Sequence, residues 1–208
     1  MNIGNINIYN MYNAVFGIRN NYSNWDLSDS NDNFYLLKDK ETVYYDYCHI
    51  GEKDLKLVLM LCKKRSSERK FLRQIFVSMD ITASLSFWKQ LDTYKVGTVA
   101  NSTSIMHTLG KRLLTQNDFE NPIDEFHLDF LNRNIEGWQK TKDKSFWEVV
   151  ENNLPVSFLQ SRLWTANYEV LLNIYLDRNN HKKAEWLYFC EIIKNLELLK
   201  QIIEEVEK

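Results

Sequence analysis

The stretch SLSFWKQLDTYKVGTVANSTSIM, residues 84–106, decides the fold class, because it passes from an amphipathic helix into a small, polar segment. Leu85, Trp88 and Leu91 recur at helical spacing, which predicts a helix over residues 83–95 that ends near Gly97. The following segment, TVANSTS, is predicted as a loop, suited either to lining a ligand site or to forming an ordinary turn.

A strand is predicted directly before this helix. In RQIFVSMDI, residues 73–81, every second position is apolar: Ile75, Val77, Met79 and Ile81. This period of two is typical of a half-buried strand.

The second informative stretch is LPVSFLQSRLWTANYEVLLNIYLDR, residues 154–178. It predicts a strand that follows Pro155 and runs to Thr165, then a helix over residues 167–177 with Asn167 as its N-cap. A last helix is predicted from Lys182 to the C-terminus.

The rest of the chain supplies further predicted elements. They are a strand at 2–9, a short helix at 13–19, a surface loop at 20–33, a strand or a loop at 36–48, and helices at 52–65, 121–143 and 145–152. The 52–65 helix is expected to bury a face made of Leu55, Val58, Leu59 and Cys62. The 121–143 helix carries an apolar stripe, predicted as core or subunit interface, of Ile123, Phe126, Phe130, Leu131, Ile135 and Trp138.

Length and composition favour one domain over residues 1–208. A chain of 208 residues with 44% hydrophobic residues can bury a core without disulfides, and two prolines and six glycines leave little material for linkers. The 26 basic and 28 acidic residues give a formal charge of −2, so no basic excess indicates a nucleic-acid partner or an anionic membrane.

The cysteines and histidines indicate neither a disulfide framework nor a metal site. Cys48, Cys62 and Cys190 are odd in number and far apart, which predicts reduced, buried thiols. The four histidines, at positions 49, 107, 127 and 181, lack metal-ligand spacing. The N-terminus lacks a leader pattern, and no apolar run reaches the ~18 residues of a membrane span, so a cytoplasmic protein is predicted.

The first stretch resembles a motif of the flavin-dependent thymidylate synthases, in which a helical glutamine precedes Arg-His-Arg-x-x-Ser-x-x-Glu-x-Ser-x-Arg. Gln90 lies on the glutamine. The other motif positions fall on Thr93, Tyr94 and Lys95 (the Arg-His-Arg triplet), Thr98 (first serine), Asn101 (glutamate), Thr103 with Ser104 beside it (second serine) and Ile105 (last arginine). The glutamine, one basic residue and the hydroxyls are therefore kept.

The second stretch resembles the same family more closely. The family order is Leu-Pro, a strand arginine, Trp-Thr-x-Asn, then a helix with a second asparagine that ends in arginine and precedes Ala-Gln-Trp. The matching residues are Leu154-Pro155, Arg162, Trp164-Thr165-Ala166-Asn167, Asn173, Arg178 and Ala184-Glu185-Trp186, with Arg19 on a family arginine near the N-terminus. The resemblance implies an α+β fold with a central antiparallel or mixed sheet flanked by helices.

The resemblance also implies a reaction and a site. Members of this family methylate dUMP reductively to dTMP, as homotetramers, with methylenetetrahydrofolate as carbon donor, reduced FAD as hydride source and NADPH as reductant. The implied catalytic hydroxyls are Thr103 and Ser104. The implied nucleotide contacts are Gln90, Lys95, Arg162 and Arg178, and the implied FAD contacts are Thr93, Tyr94, Lys95, Asn101, Asn167 and Asn173.

Three functions remain open from the sequence. The first is a diverged flavin-dependent enzyme that methylates or otherwise modifies C5 of dUMP or a related pyrimidine deoxynucleotide. The second is a nucleotide-binding sponge, sensor or regulator without catalysis, and the third is a structural or interaction protein. Arg178 could simply complement a helix dipole, and Asn167 could simply cap a helix. The richness in Asn, Lys and Ile is typical of an AT-rich bacterium or its phage.

Overall fold

A four-stranded antiparallel sheet with helices forms the framework, as seen in a computed structural model that describes residues 1–33 and 47–208. The predicted α+β class is confirmed. In chain order the elements are β1 (Asn2–Tyr9), α1 (Met11–Gly17), β2 (Asn31–Asn33), β3 (Tyr47–His49), α2 (Glu52–Cys62), β4 (Phe76–Ser84), α3 (Leu85–Leu91), β5 (Thr98–Ser102), α4 (Ile105–Thr108), α5 (Glu125–Thr141), α6 (Lys144–Asn153), β6 (Leu159–Asn167), α7 (Tyr168–Arg178), α8 (Ala184–Lys194) and α9 (Leu199–Val206).

The strands of the main sheet follow the order β1-β4-β6-β5, and β2 pairs separately with β3, antiparallel. The predicted loop over 20–33 is wrong in part, since it contains β2 and the short 3-10 helix Trp25–Leu27. The predicted strand or loop over 36–48 lies outside the described residues except for its last two positions, which belong to β3.

The strand β4 confirms the period-two prediction. Ile75, Val77, Met79 and Ile81 are all fully buried. The strand continues to Ser84, three residues beyond the predicted end, and the Ser84 hydroxyl then accepts a hydrogen bond from the backbone N–H of Phe87 at 3.1 Å. This N-cap turns the chain directly from β4 into α3.

The segment after α3 differs from the prediction. The helix ends at Leu91 and not near residue 95, and Thr98–Ser102 is the strand β5 where a loop was predicted. Gly97 has a φ of +78°, which a residue with a Cβ rarely adopts, and it makes the turn into β5. Small polar residues form a strand here because β6 offers its edge for pairing.

The chain divides into two compact units, described separately below. Unit 1 comprises Met1–Asn5, Met79–Lys95 and Val99–Trp164, and unit 2 comprises Ile6–Ser78, Val96–Thr98 and Thr165–Lys208. One domain over residues 1–208 stays a prediction.

In unit 1, α5 packs against α6. Within the predicted apolar stripe of α5, Leu131 and Ile135 are buried, whereas the exposed fraction of Phe126 is 78%. The subunit-interface alternative for this exposed residue stays a prediction. Leu128, which was not part of the predicted stripe, is also buried. The apolar cluster of this unit consists of Leu109, Leu114, Phe119, Leu128, Leu131, Ile135 and Val150.

In unit 2, α7 packs on α8, and α9 packs on α2 and α8. One C-terminal helix was predicted, but the chain breaks into α8 and α9 because Leu198 adopts a left-handed φ of 59°. Trp186, Ile193 and Leu199 are buried in these helices.

The helix α2 ends at Cys62, three residues earlier than predicted. Its buried face also differs: Val58 and Cys62 are buried as expected, whereas Leu55 and Leu59 are only half-buried. The face is centred instead on Asp54 and Leu61. Among the described residues, no helix combines the length and apolarity that a membrane crossing needs.

Candidate functional site

The helix α3 and the strand β6 bring Trp88 and Arg162 into contact in unit 1. The guanidinium carbon of Arg162 lies 4.2 Å from the centroid of the Trp88 ring, a cation–π geometry. The Trp88 Nε1–H donates a hydrogen bond to the backbone carbonyl of Gln160 at 2.9 Å. Because Trp88 is buried, these contacts fix one face of the arginine.

The other contacts of Arg162 are polar. Its Nη1 donates to both carboxylate oxygens of Asp92, at 2.9 Å and 3.2 Å, and its Nε donates to Oε1 of Gln160 at 3.1 Å. The Arg162 side chain is 14% exposed and that of Asp92 is 50% exposed. Groups of unit 1 therefore contact one face of the Arg162 guanidinium, its Nε and its Nη1.

Thr103 lies beside this arrangement at the end of β5. Its backbone N–H donates to the carbonyl of Ser161 at 2.8 Å, and its carbonyl accepts from Nε2 of Gln160 at 2.9 Å. Gln160 thus joins Thr103 to Arg162. We refer to Trp88, Asp92, Thr103, Gln160 and Arg162 as the Arg162 cluster.

A pocket of about 290 Å³ lies next to Thr103 within unit 1. Its polar lining includes Thr82 and Ser161, whose hydroxyl oxygens are 2.6 Å apart, and Arg112, which is ion-paired with Asp118. The Arg112 guanidinium holds the pKa of the Asp118 carboxyl below its usual value, against the opposing effect of burial. The pocket offers hydroxyl and amide groups that can form hydrogen bonds with a neutral, polar part of a ligand.

The other predicted residues of unit 1 have local structural contacts. Ser104 caps α4, because its hydroxyl accepts from the backbone N–H of His107 at 3.3 Å. The Thr93 hydroxyl donates to the carbonyl of Gln90 at 2.7 Å, at the end of α3. Tyr94 is half-buried.

Lys95 and Asn101 are exposed. Gln90, also half-buried, shares α3 with Trp88. The structure thus places Thr103 and Arg162 in one cluster and Gln90 on an element that builds it.

The predicted residues of unit 2 lie along α7. Asn167 caps this helix, since its Oδ1 accepts from the backbone N–H of Val170 at 3.0 Å. Arg178 stands in the last turn, with its guanidinium 5.0 Å from the centroid of the Trp186 ring. Eleven residues of helix rise about 16 Å, so Asn167 and Arg178 cannot bind the same small group. Asn173, between them, is exposed.

The six predicted FAD residues supply little positive charge for the cofactor. The diphosphate of FAD carries two negative charges, which proteins meet with arginine, lysine or backbone N–H groups. The six residues supply one cation, Lys95, while the Thr93 hydroxyl and the Asn167 carbonyl oxygen serve helix ends. This donor set does not fit the diphosphate, and FAD binding stays a prediction. Among the residues that the structure describes, no cluster of three metal-binding side chains occurs.

Three members of the Arg162 cluster were missed from the sequence. Gln160 could have been found, because it lies two positions before Arg162 and a strand places such residues on one face. Trp88 was interpreted only as a core residue. Asp92 gave no signal, since it meets Arg162 across 70 positions of sequence.

The antiparallel sheet, its strand order and the helices around it place the chain in the class of flavin-dependent thymidylate synthase-like folds. A crystal structure of thymidylate synthase X (ThyX) from Helicobacter pylori with FAD and dUMP matches with a TM-score of 0.73 at 13% identity, over 100% of both chains. A flavin-dependent thymidylate synthase ThyX from the same organism, complexed with FAD and dUMP, matches with a TM-score of 0.67 at 14% identity, over 100% of this chain and 97% of that one. The fold is ThyX-like. No protein-family model and no curated protein matches the sequence.

Proposed function

We propose that this chain is a pyrimidine deoxynucleotide-binding protein with a ThyX-like fold and that dUMP represents its ligand class. One observation carries the proposal: the Arg162 cluster holds an oriented guanidinium against the Trp88 ring and the Gln160 amide, in a fold whose matched structures were crystallised with dUMP. An arginine held against an aromatic face keeps its planar fork in one orientation, as phosphate recognition requires.

The roles of the site residues follow from their chemistry. Arg162 binds the phosphate, and the exposed Thr103 and the half-buried Gln90 offer a hydroxyl and an amide to the uracil edge. Lys95 adds an exposed positive charge after the end of α3. Arg178, in unit 2, stays a separate candidate for phosphate contact. An oriented guanidinium and neutral hydrogen-bonding partners together select a nucleoside monophosphate over a free base.

A second candidate function is reductive C5 methylation, or a related C5 modification, of the bound nucleotide. The matched proteins favour it, because their structures contain FAD as well as dUMP and the likeness covers the whole chain. This function requires FAD, NADPH and methylenetetrahydrofolate, places Thr103 and Ser104 at the reacting nucleotide, and assumes a cytoplasmic homotetramer. Because the six predicted FAD residues do not fit the diphosphate of FAD, nucleotide binding is proposed as the first function.

The test is a calorimetric titration of the purified protein with dUMP and, separately, with deoxyuridine, which lacks the phosphate. We expect saturable dUMP binding that is at least tenfold tighter than deoxyuridine binding, about 1.4 kcal/mol. Absence of dUMP binding contradicts the proposal and leaves a structural or interaction protein. An absorbance spectrum after addition of FAD and gel filtration decides the second candidate: retained flavin bands support it, and a colourless protein that binds dUMP excludes it.

A further inference from the structure

Asp92 already occupies the part of Arg162 that would face a phosphate. We propose that Asp92 is a built-in competitor of the nucleotide phosphate: the phosphate binds Arg162 through two nitrogens only when it displaces the Asp92 carboxylate. This inference rests on the proposed function, since it concerns how the same site is regulated. It assigns a role to a residue of the Arg162 cluster that the sequence did not predict as a site residue.

The geometry leaves a phosphate one bidentate approach to Arg162. Trp88 covers one face of the guanidinium at 4.2 Å, and Gln160 accepts from Nε at 3.1 Å. Because Nε is engaged, an oxyanion that accepts from two nitrogens of Arg162 must use Nη1 together with Nη2. Nη1 is the nitrogen that donates to both oxygens of Asp92, at 2.9 Å and 3.2 Å. A carboxylate and a phosphate make the same kind of charge-assisted hydrogen bond, so the two compete for this nitrogen.

The difference in exposure shows which partner can leave. The Asp92 side chain is 50% exposed, so its carboxylate regains hydration when it rotates away. The Arg162 side chain is 14% exposed and cannot be hydrated to the same degree, so it needs an anionic partner in either state. Displacement of Asp92 by a phosphate satisfies both groups, whereas loss of Asp92 without a replacement does not.

The position of Asp92 on α3 supports the same conclusion. Asp92 is the C-cap residue of α3 and follows Leu91 directly. A negative charge at a helix C-terminus opposes the helix dipole, so helix stability does not account for an aspartate here. The pairing with Arg162 does account for it.

The consequence is a bias against phosphorylated ligands. A carboxylate that remains near Arg162 repels a phosphate and leaves a neutral nucleoside unaffected. The inference therefore predicts a ligand-dependent effect of Asp92, which a purely structural ion pair would not give.

The experiment compares Asp92→Asn with the wild type by calorimetry at low salt, using dUMP and deoxyuridine. We expect the dUMP dissociation constant to fall at least fivefold and the deoxyuridine constant to change less than twofold. The matched control is Asp129→Asn, which removes an exposed carboxylate on α5 of the same unit and should change neither constant. Asp92→Ala, checked for an unchanged unfolding temperature, must shift the dUMP constant in the same direction as Asp92→Asn.

The outcomes separate this inference from the proposed function. If the wild type and Asp92→Asn bind dUMP equally, or the variant binds it more weakly, the inference is wrong and nucleotide binding stands. If none of the proteins binds dUMP, both are wrong. If dUMP binding is detected for Asp92→Asn but is too weak to detect for the wild type, both the inference and the proposed function are supported.

Discussion

Arg19 and Asp54 form a buried ion pair in unit 2: Nε and Nη2 of Arg19 donate to Oδ1 of Asp54 at 2.8 Å and 2.6 Å. The second oxygen of Asp54 accepts from the hydroxyls of Ser28 and Ser30, at 2.5 Å and 2.7 Å. Arg19 is the residue that resembles a family arginine near the N-terminus. Both members of this pair are buried, unlike Asp92 in the pair with Arg162, so Arg19 is assigned to the stability of unit 2.

Removal of Arg19 should be strongly destabilising. Arg19→Met leaves the buried Asp54 carboxylate without its charged partner, and we expect a loss of about 3–5 kcal/mol in the free energy of unfolding. Urea unfolding followed by circular dichroism measures it. The matched control is Lys140→Met, which breaks an exposed pair with Glu136 and should change stability by about 0.5 kcal/mol or less. Equal effects of the two variants would contradict the structure.

The same carboxylate predicts a dependence of stability on pH. Burial alone would raise the pKa of Asp54, but hydrogen bonds from Ser28, Ser30 and Arg19 outweigh it and hold the pKa below its ordinary value. A carboxyl whose pKa is lower in the folded state contributes stability above the unfolded pKa, about 4, and this stability is lost as the pH falls through the folded pKa.

Asp54→Asn should therefore show a shallower loss of stability below about pH 4 than the wild type. Urea unfolding at a series of pH values tests this. If the free energy of unfolding falls with pH at the same rate in the two proteins, Asp54 is not the group responsible.

The cysteines confirm their predicted burial: Cys48, Cys62 and Cys190 are buried, and no disulfide joins any two of them within the described part of the chain. Burial raises the pKa of Cys62 to about 12 against the opposing charge of Arg69, and that of Cys190 to about 11 against Arg178. Since the thiolate is the reactive form, we expect negligible reaction with a thiol reagent at pH 8 in the native protein and complete reaction in urea. Rapid labelling of either thiol without unfolding would contradict the described packing.

Arg178 tests whether the C-terminal end of α7 takes part in binding. If it contacts the phosphate, Arg178→Ala should weaken dUMP binding more than tenfold, about 1.4 kcal/mol or more. Its position over Trp186 gives a competing role in stability, so the unfolding temperature has to be measured on the same sample. Unchanged affinity in a folded variant removes Arg178 from the site.

Local patterns were the part of the fold that the sequence could predict. The apolar face from Ile75 to Ile81 and the N-cap Asn167 are correct, because period and capping chemistry depend on neighbouring residues. The strand Thr98–Ser102 and the burial of Leu128 were not predicted, because both depend on which distant element supplies a partner.

The site residues also divide into those that the sequence could predict and those that it could not. The sequence and its resemblance selected Arg162 and Thr103, which the structure brings together through Gln160. The pairing of Arg162 with Asp92 could not be read from either motif, because a contact across 70 positions leaves no local pattern. That contact changes what the arginine can do, since its charge is already balanced in the absence of a ligand.

The most direct test of the proposed function is the dUMP affinity of Arg162→Ala against that of Arg133→Ala, an exposed arginine on α5 of the same unit. We predict that Arg162→Ala weakens dUMP binding at least tenfold, about 1.4 kcal/mol, and that Arg133→Ala leaves it unchanged. Both variants should retain the far-UV circular dichroism of the wild type. Equal dUMP affinity in the two folded variants would contradict the assignment of Arg162 as the phosphate ligand and, with it, the nucleotide site proposed for this fold.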